Sequence, residues 1–205
     1  MGLVTVRLGI LGGTFDPIHW AHLLLAELAW ETLKLERVLF TPAGDPPHKQ
    51  ARFKTPATQR RAMVELAIAA NPHFELCPVD LERPGPHYTT DTVRLIGERY
   101  DLAPDDCFFI IGGDSLADLP GWRHPQELLR LCRLAVVHRP GYQPDLTNLA
   151  VQIPGLQPRI DWVEMPQLDI AASEIRARVR AGQSIRYQVV DAVRAYIERH
   201  GLYRT

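Results

Sequence analysis

Two kinds of apolar spacing alternate along this chain. Short β-rich runs read as strands, most of them continuous enough to be buried on both faces. They are "VTVRLGIL" (4–11), "RVLFTPA" (37–43), "FELCPVDLER" (74–83), "DCFFIIGGDS" (106–115), "RLAVVHRPG" (133–141) and "IDWVEMP" (160–166). Between them lie segments with apolar residues three and four apart, which predict helices over 21–35, 55–71, 89–101 and 125–132. Two more follow the last strand, at 173–181 and about 187–200. Pro56 suits the first turn of its helix, with Thr55 as the N-cap. In the 173–181 helix Ser173 takes the N-cap place, Ile175 and Val179 form the buried i, i+4 pair, and Gly182 ends it.

Strand and helix in alternation mean βαβ units, hence a parallel sheet covered on both faces. Right-handed crossovers then predict an α/β fold, a Rossmann-like, doubly wound open parallel sheet with helices on both faces. One domain over 1–205 is expected, with a C-terminal helical part from about 173. Such sheets bind ligands beyond the carboxyl ends of their strands, at a switch point in strand order. Chemistry is therefore to be sought in 12–22, 43–49, 112–115 and 139–141.

Composition narrows the partners. With 46% hydrophobic and 23% charged residues, the chain can bury a core without covalent staples. A formal net charge of −1 supplies no broad positive field, so no nucleic-acid partner is expected. Cys77, Cys107 and Cys132 are odd in number and lack C-x-x-C spacing, so they read as buried thiols in a reducing compartment. No run approaches the roughly 18 apolar residues of a membrane span, and the chain opens directly into a strand pattern. A cytoplasmic protein without a membrane partner is expected; homo-oligomer formation stays open.

The densest chemistry lies in "GGTFDPIHWAH" (12–22). Gly12 and Gly13 sit between a strand and a helix, where backbone N–H groups can approach a phosphate. His19 and His22, three apart, fall on one face of the first helical turn, beside free amides that favour an anion. Imidazoles there can donate to phosphate oxygens and stabilise developing charge. A zinc hydrolase would show H-x-x-x-H with a neighbouring Glu, and a serine hydrolase G-x-S-x-G; neither occurs. No metal ligands are assigned, and phosphate chemistry is the better reading.

Three further stretches can add to it. In "DIAASEIRARVRAG" (169–182), Arg176 falls in the first turn if Ser173 caps the helix. A cation there opposes the helix dipole unless an anion lies between, or unless it points into solvent. "TPAGDPPHKQ" (41–50) places His48 and Lys49 after a stiff Pro-Pro, as phosphate clamps or as a solvated turn. "IIGGDSLADLPGW" (110–122) offers Asp114 for ribose hydroxyls and Trp122 for stacking on a flat ring; a capping Asp and a half-buried Trp are the plainer readings.

These strings resemble the nucleotidyltransferase superfamily marked by H-x-G-H near the N-terminus and I-S-S-T-x-I-R near the C-terminus. Within it the chain is similar to the bacterial nicotinate-nucleotide adenylyltransferases. "GILGGTFDPIHWAH", "TPAGDPPHK", "YTTDTVRLI" (88–96), "GGDSLADLPGW", "VVHRPGY" (136–142) and "VRAYIERHGLY" (193–203) carry the likeness nearly end to end. The chain departs from both motifs. Ala21 replaces the Gly of the first, and Ala171, Ala172 and Ser173 stand for Ser-Ser-Thr in the second.

The resemblance implies transfer of AMP from ATP to nicotinate mononucleotide, with release of pyrophosphate and no covalent intermediate. It implies that Gly12, Gly13, Thr14 and Phe15 line the cleft. His19 and His22 would hold the phosphates and Ser173 and Arg176 would grip them from the opposite side. Trp122 would carry the nicotinate ring, with its carboxylate on amides near Thr89 and Arg123. Mg²⁺ would travel with ATP, keeping most of its waters. A phosphopantetheine adenylyltransferase, a metal-dependent phosphohydrolase and a non-catalytic nucleotide sensor are the alternatives.

Overall fold

The computed structural model describes residues 6–44, 55–138 and 140–204. His48 and Lys49 lie outside the described residues.

Six strands form one parallel sheet in the order β3-β2-β1-β4-β5-β6. They are β1 (Leu8–Gly13), β2 (Arg37–Pro42), β3 (Phe74–Leu76), β4 (Cys107–Gly112), β5 (Arg133–His138) and β6 (Ile160–Glu164). This is the doubly wound order, reversing direction between β1 and β4. Among the described residues, eight α-helices connect the strands and follow the last of them. They are α1 (Trp20–Leu33), α2 (Ala57–Ile68), α3 (Thr89–Tyr100), α4 (Gly113–Ala117), α5 (Pro125–Leu131), α6 (Leu146–Gln152), α7 (Ala172–Arg180) and α8 (Asp191–Arg199).

The period of two along each strand divides the core into two layers. Phe108, Ile110, Ala135 and Val137 face α1, α2, α7 and α8, with Leu23, Met63, Ile175 and Val193 packed among them. Phe109, Ile111, Leu134 and Val136 face the other way, with Val93, Leu116, Leu128 and Leu149 from α3 to α6. All three cysteines are buried free thiols in or beside this second layer, pushed above the ordinary thiol range chiefly by burial. No helix among the described residues is long and apolar enough to cross a membrane.

The ladders are unequal, and this positions the crevice. β1 pairs with β2 along its whole length, from Leu8 opposite Arg37 to Gly13 opposite Pro42. With β4 it pairs only from Leu8 opposite Cys107 to Ile10 opposite Phe109. Beyond those residues the two central strands part at their carboxyl ends.

Some predicted boundaries move, each for a local reason. The strand expected over 74–83 keeps three residues: Cys77 still donates to the Phe40 carbonyl at 2.9 Å, but Pro78 has no N–H and its carbonyl closes a turn onto Leu81. α2 begins at Ala57 with Pro56 as its extended N-cap, so Thr55 is not the cap. α6 is an addition, started by Asp145, whose carboxylate accepts from the Asn148 amide at 2.9 Å. α7 begins after Ala171, extended at φ −121 and ψ 139, so Ser173 is its second residue rather than its cap. α8 starts at Asp191, later than the expected 187, after a short bridge between Arg186 and Val189.

Two glycines test this packing in opposite directions. A Cβ on Gly44, just past β2, would lie 2.2 Å from the Asp80 carbonyl and 2.7 Å from the His87 ring. A Cβ on Gly97, inside α3, would meet nothing within 4 Å. Gly44→Ala should destabilise the protein by about 1–3 kcal/mol through overpacking. Gly97→Ala should stabilise it by about 0.5–1 kcal/mol through helix propensity. Urea denaturation midpoints of the two variants check both signs.

Candidate active site

The parted ends of β1 and β4 leave the last residues of β1 on one side of a crevice. Gly12 is exposed there, and a Cβ on it would reach only the edge of the Phe109 ring, at 3.4 Å. Gly13 does a different job: a Cβ would fall 2.8 Å from the Phe15 ring, which folds back over the strand end. The two glycines are strand residues rather than a turn, and Gly13 gives its carbonyl to the Ala43 amide at 2.8 Å. Phe15 has φ +50, a conformation that a bulky side chain adopts rarely. Phe15 is 1% exposed, and its ring packs on Phe40 and edge-on to His22. Phe15 is therefore a buried support of the turn.

That turn delivers the chain to α1, whose N-cap is His19, with His22 as its third residue. The rings stack with centroids 3.7 Å apart and planes 27° from parallel. His22 Nδ1 accepts the His19 backbone N–H at 3.2 Å, which fixes the His22 proton on Nε2. The pair is a capping box in outline. The firm bond from the His22 amide, however, goes to the His19 carbonyl at 2.9 Å, and His19 Nδ1 is buried without a full hydrogen bond. Burial pushes the His19 pKa down to about 4. His22 is held well below the usual range, first by burial and then by the adjacent His19. Both rings are thus neutral donors near pH 7. Among the described residues, no group of three or more histidine, cysteine or carboxylate side chains converges as a metal site. Ala21 lies inside the first turn in helical conformation, where no left-handed backbone calls for a glycine.

The segment between Phe15 and His19 is fastened from below. Arg60, 2% exposed, donates Nη1 to the Thr14 carbonyl at 2.7 Å and Nε to the Thr55 carbonyl at 3.2 Å. The Asp16 carboxylate is buried as well and accepts the Tyr203 hydroxyl at 2.6 Å. Burial lowers the Arg60 pKa, and the Asp16 charge partly restores it. Tyr203 is pushed far up, by burial first and then by its bond to Asp16.

Arg176 joins this loop from α7. Its Nη1 donates to the Asp16 carbonyl at 2.7 Å across 160 residues of sequence. Because α7 starts two residues earlier than the Ser173 cap implied, Arg176 stands fifth in the helix, at the second turn. Its partner is thus a loop carbonyl, in addition to anything that enters the crevice. Arg176 is thus bonded to the loop that follows Thr14 and leads into His19 and His22. Ser173 is exposed on the first turn of α7.

The other side of the crevice is built from β4 onward. Trp122 stands edge-on to Phe109, centroids 6.1 Å apart, so the Phe109 ring adjoins both Trp122 and Gly12. The Arg123 guanidinium lies 4.2 Å over the Tyr88 ring, and its carbonyl accepts the Thr90 hydroxyl at 3.0 Å. Thr89 is the first residue of α3, so free helix-terminal amides adjoin Arg123. Asp114 sits exposed in the first turn of α4. Gly113 accepts the Tyr142 hydroxyl at 2.7 Å and is overlain by that ring.

Of the residues that carry the loop, Asp16 and Tyr203 lie in the strings "GGTFDPIHWAH" and "VRAYIERHGLY", whereas Arg60 has no signature in local sequence.

The two histidines also set a pH dependence. Their folded pKa values lie below the ordinary value of about 6.5, so the unfolded chain binds more protons between that value and the folded ones. Stability is complete above pH 6.5 and falls as pH drops toward 4, by up to about 1.4 kcal/mol per pH unit for each histidine. Chemical denaturation across this window should show a flatter curve for a His19→Gln, His22→Gln double variant than for the wild type.

Comparison with known proteins places this arrangement. The cytidylyltransferase-like family model matches residues 10–178. A Thermomicrobium roseum protein named "Probable nicotinate-nucleotide adenylyltransferase" is 50% identical, over 97% of this chain and 92% of its own length. A Roseiflexus protein of the same name is 48% identical, over 96% and 98%. Among solved structures, the Plasmodium falciparum nicotinic acid mononucleotide adenylyltransferase complexed with NaAD shares the fold. Its TM-score is 0.76 at 18% identity, covering 97% of each chain. Identity of 50% and 48% to the two named relatives, over nearly the whole length of both chains, settles the lineage: this chain is a member of the nicotinate-nucleotide adenylyltransferase family.

Proposed function

We propose that this chain moves the adenylyl group of ATP onto nicotinate mononucleotide, forming nicotinate adenine dinucleotide and pyrophosphate. The observation that carries the reading is the junction of Arg176 with the Asp16 carbonyl. It joins a cation from α7 to the turn that presents His19 and His22. The relatives' shared name supports the substrate pair.

A phosphate oxygen of the mononucleotide attacks the α-phosphorus of ATP. The bond from that phosphorus to the bridging oxygen breaks, and pyrophosphate leaves with the electron pair. Such a displacement needs alignment and charge neutralisation rather than a protein nucleophile. The exposed backbone of Gly12 and the Thr14 turn accommodate the triphosphate. His22 Nε2–H and the His19 ring donate to its oxygens, and Ser173 and the remaining Arg176 donors approach from α7. Neutral imidazoles gain proton affinity as the polyanion arrives, so their positive charge is drawn in where charge builds. Asp114 faces the ribose hydroxyls. Trp122 stacks the pyridine ring, and its carboxylate rests on the α3 amides beside Thr89 and Arg123. Mg²⁺ enters as part of the ATP substrate. The buried Asp16 carboxylate is already engaged by Tyr203, and phosphate oxygens and water would coordinate the ion.

Purified protein supplied with ATP, Mg²⁺ and nicotinate mononucleotide should release pyrophosphate; no release would overturn the reading. His22→Ala should lower kcat by at least about 10²-fold, near 2.7 kcal/mol of transition-state stabilisation, with the fold intact by circular dichroism. Activity within threefold of wild type would remove His22 from catalysis. Trp122→Ala should raise KM for the mononucleotide far more than for ATP, as steady-state kinetics with each substrate varied will register.

A further inference from the structure

Asp16 is bonded from two directions by residues distant in sequence. Its carboxylate accepts the Tyr203 hydroxyl at 2.6 Å and its carbonyl accepts Arg176 Nη1 at 2.7 Å. Asp16 is 5% exposed, and Tyr203 lies close enough to Arg176 to sense its charge. An arginine within reach of a carboxylate ordinarily takes it in a two-pronged pair, since that geometry matches both groups. Here Arg176 holds the neutral carbonyl by one nitrogen. The carboxylate is occupied by the tyrosine instead, and the buried Arg60 offsets part of its charge.

We propose that Tyr203 is a positioning residue for ATP. By occupying the Asp16 carboxylate it keeps Arg176 on the Asp16 carbonyl, with the other guanidinium donors free for the triphosphate. The proposal rests on the reading that Arg176 meets ATP phosphates. Removing the hydroxyl exposes the carboxylate as a rival anion. Arg176 then swings onto it, and the crevice loses a cation.

Isothermal calorimetry on the full chain tests this with Mg²⁺-ATP and, separately, nicotinate mononucleotide. Tyr203→Phe should weaken ATP binding about tenfold, the worth of roughly one charge-assisted hydrogen bond, and leave mononucleotide affinity within about twofold. Asp16→Asn, which removes the rival charge, should restore ATP binding to the Tyr203→Phe protein. A purely structural role predicts the reverse, a further loss. Should Tyr203→Phe alone fail to fold, the double variant against Asp16→Asn carries the same comparison, with ATP affinities within about twofold expected. Unchanged ATP affinity in Tyr203→Phe, equal weakening of both ligands, or deepening by Asp16→Asn each overturns the proposal. Failure of the transferase reading is a separate result: ATP binds to the wild type, yet no pyrophosphate is released.

Discussion

The carboxyl edge of the sheet depends on one broken ladder. β1 and β4 exchange backbone hydrogen bonds only as far as Ile10 and Phe109, while β1 stays with β2 to its last residue. Had the central pair continued, Gly12 would be a buried strand residue and the switch point would be closed. Because it stops, the backbone of Gly12 faces open space across the Phe109 edge. The turn after β1 is then free to pass over the sheet toward α1.

A turn so released must be held by something other than strand pairing. Arg60 supplies part of that hold through the Thr14 and Thr55 carbonyls, and Asp16 through Tyr203 and Arg176. These are charged groups in an interior that would exclude them singly, and each is satisfied by a partner. Breaking one member leaves a buried polar group unmatched, which ties the loop to this set of partners. Phe15 completes the hold from the apolar side, its left-handed backbone compensated by a ring sealed between Phe40 and His22.

Much of this was legible in the sequence because much of it is periodic. Continuous apolar runs gave the buried strands, three-and-four spacing gave most helices, and their alternation led to the doubly wound order. Local errors came where one residue outweighed a pattern: Pro78 cut β3 short, and Asp145 started a helix in a stretch without strong amphipathic spacing. The α7 cap falls on Ala171, which takes the extended N-cap backbone two residues before Ser173, so Arg176 lies two residues further into the helix. Of the site, the histidine pair and Arg176 were visible as motif residues. The supporting network was not, since a bond between Asp16 and Tyr203 has no period and no local composition.

That separation bears on how the protein is made. The Asp16–Tyr203 bond spans 187 residues, and the Asp16–Arg176 bond 160. At a synthesis speed of roughly 5–20 residues per second, a nascent chain spends on the order of ten seconds or more with the turn after β1 made and its two C-terminal fasteners absent. The central strands and α1 can pack during that interval from contacts nearer in sequence. The phosphate-facing turn is then among the last parts to settle, so ATP finds a finished grip only on a chain already translated through residue 203.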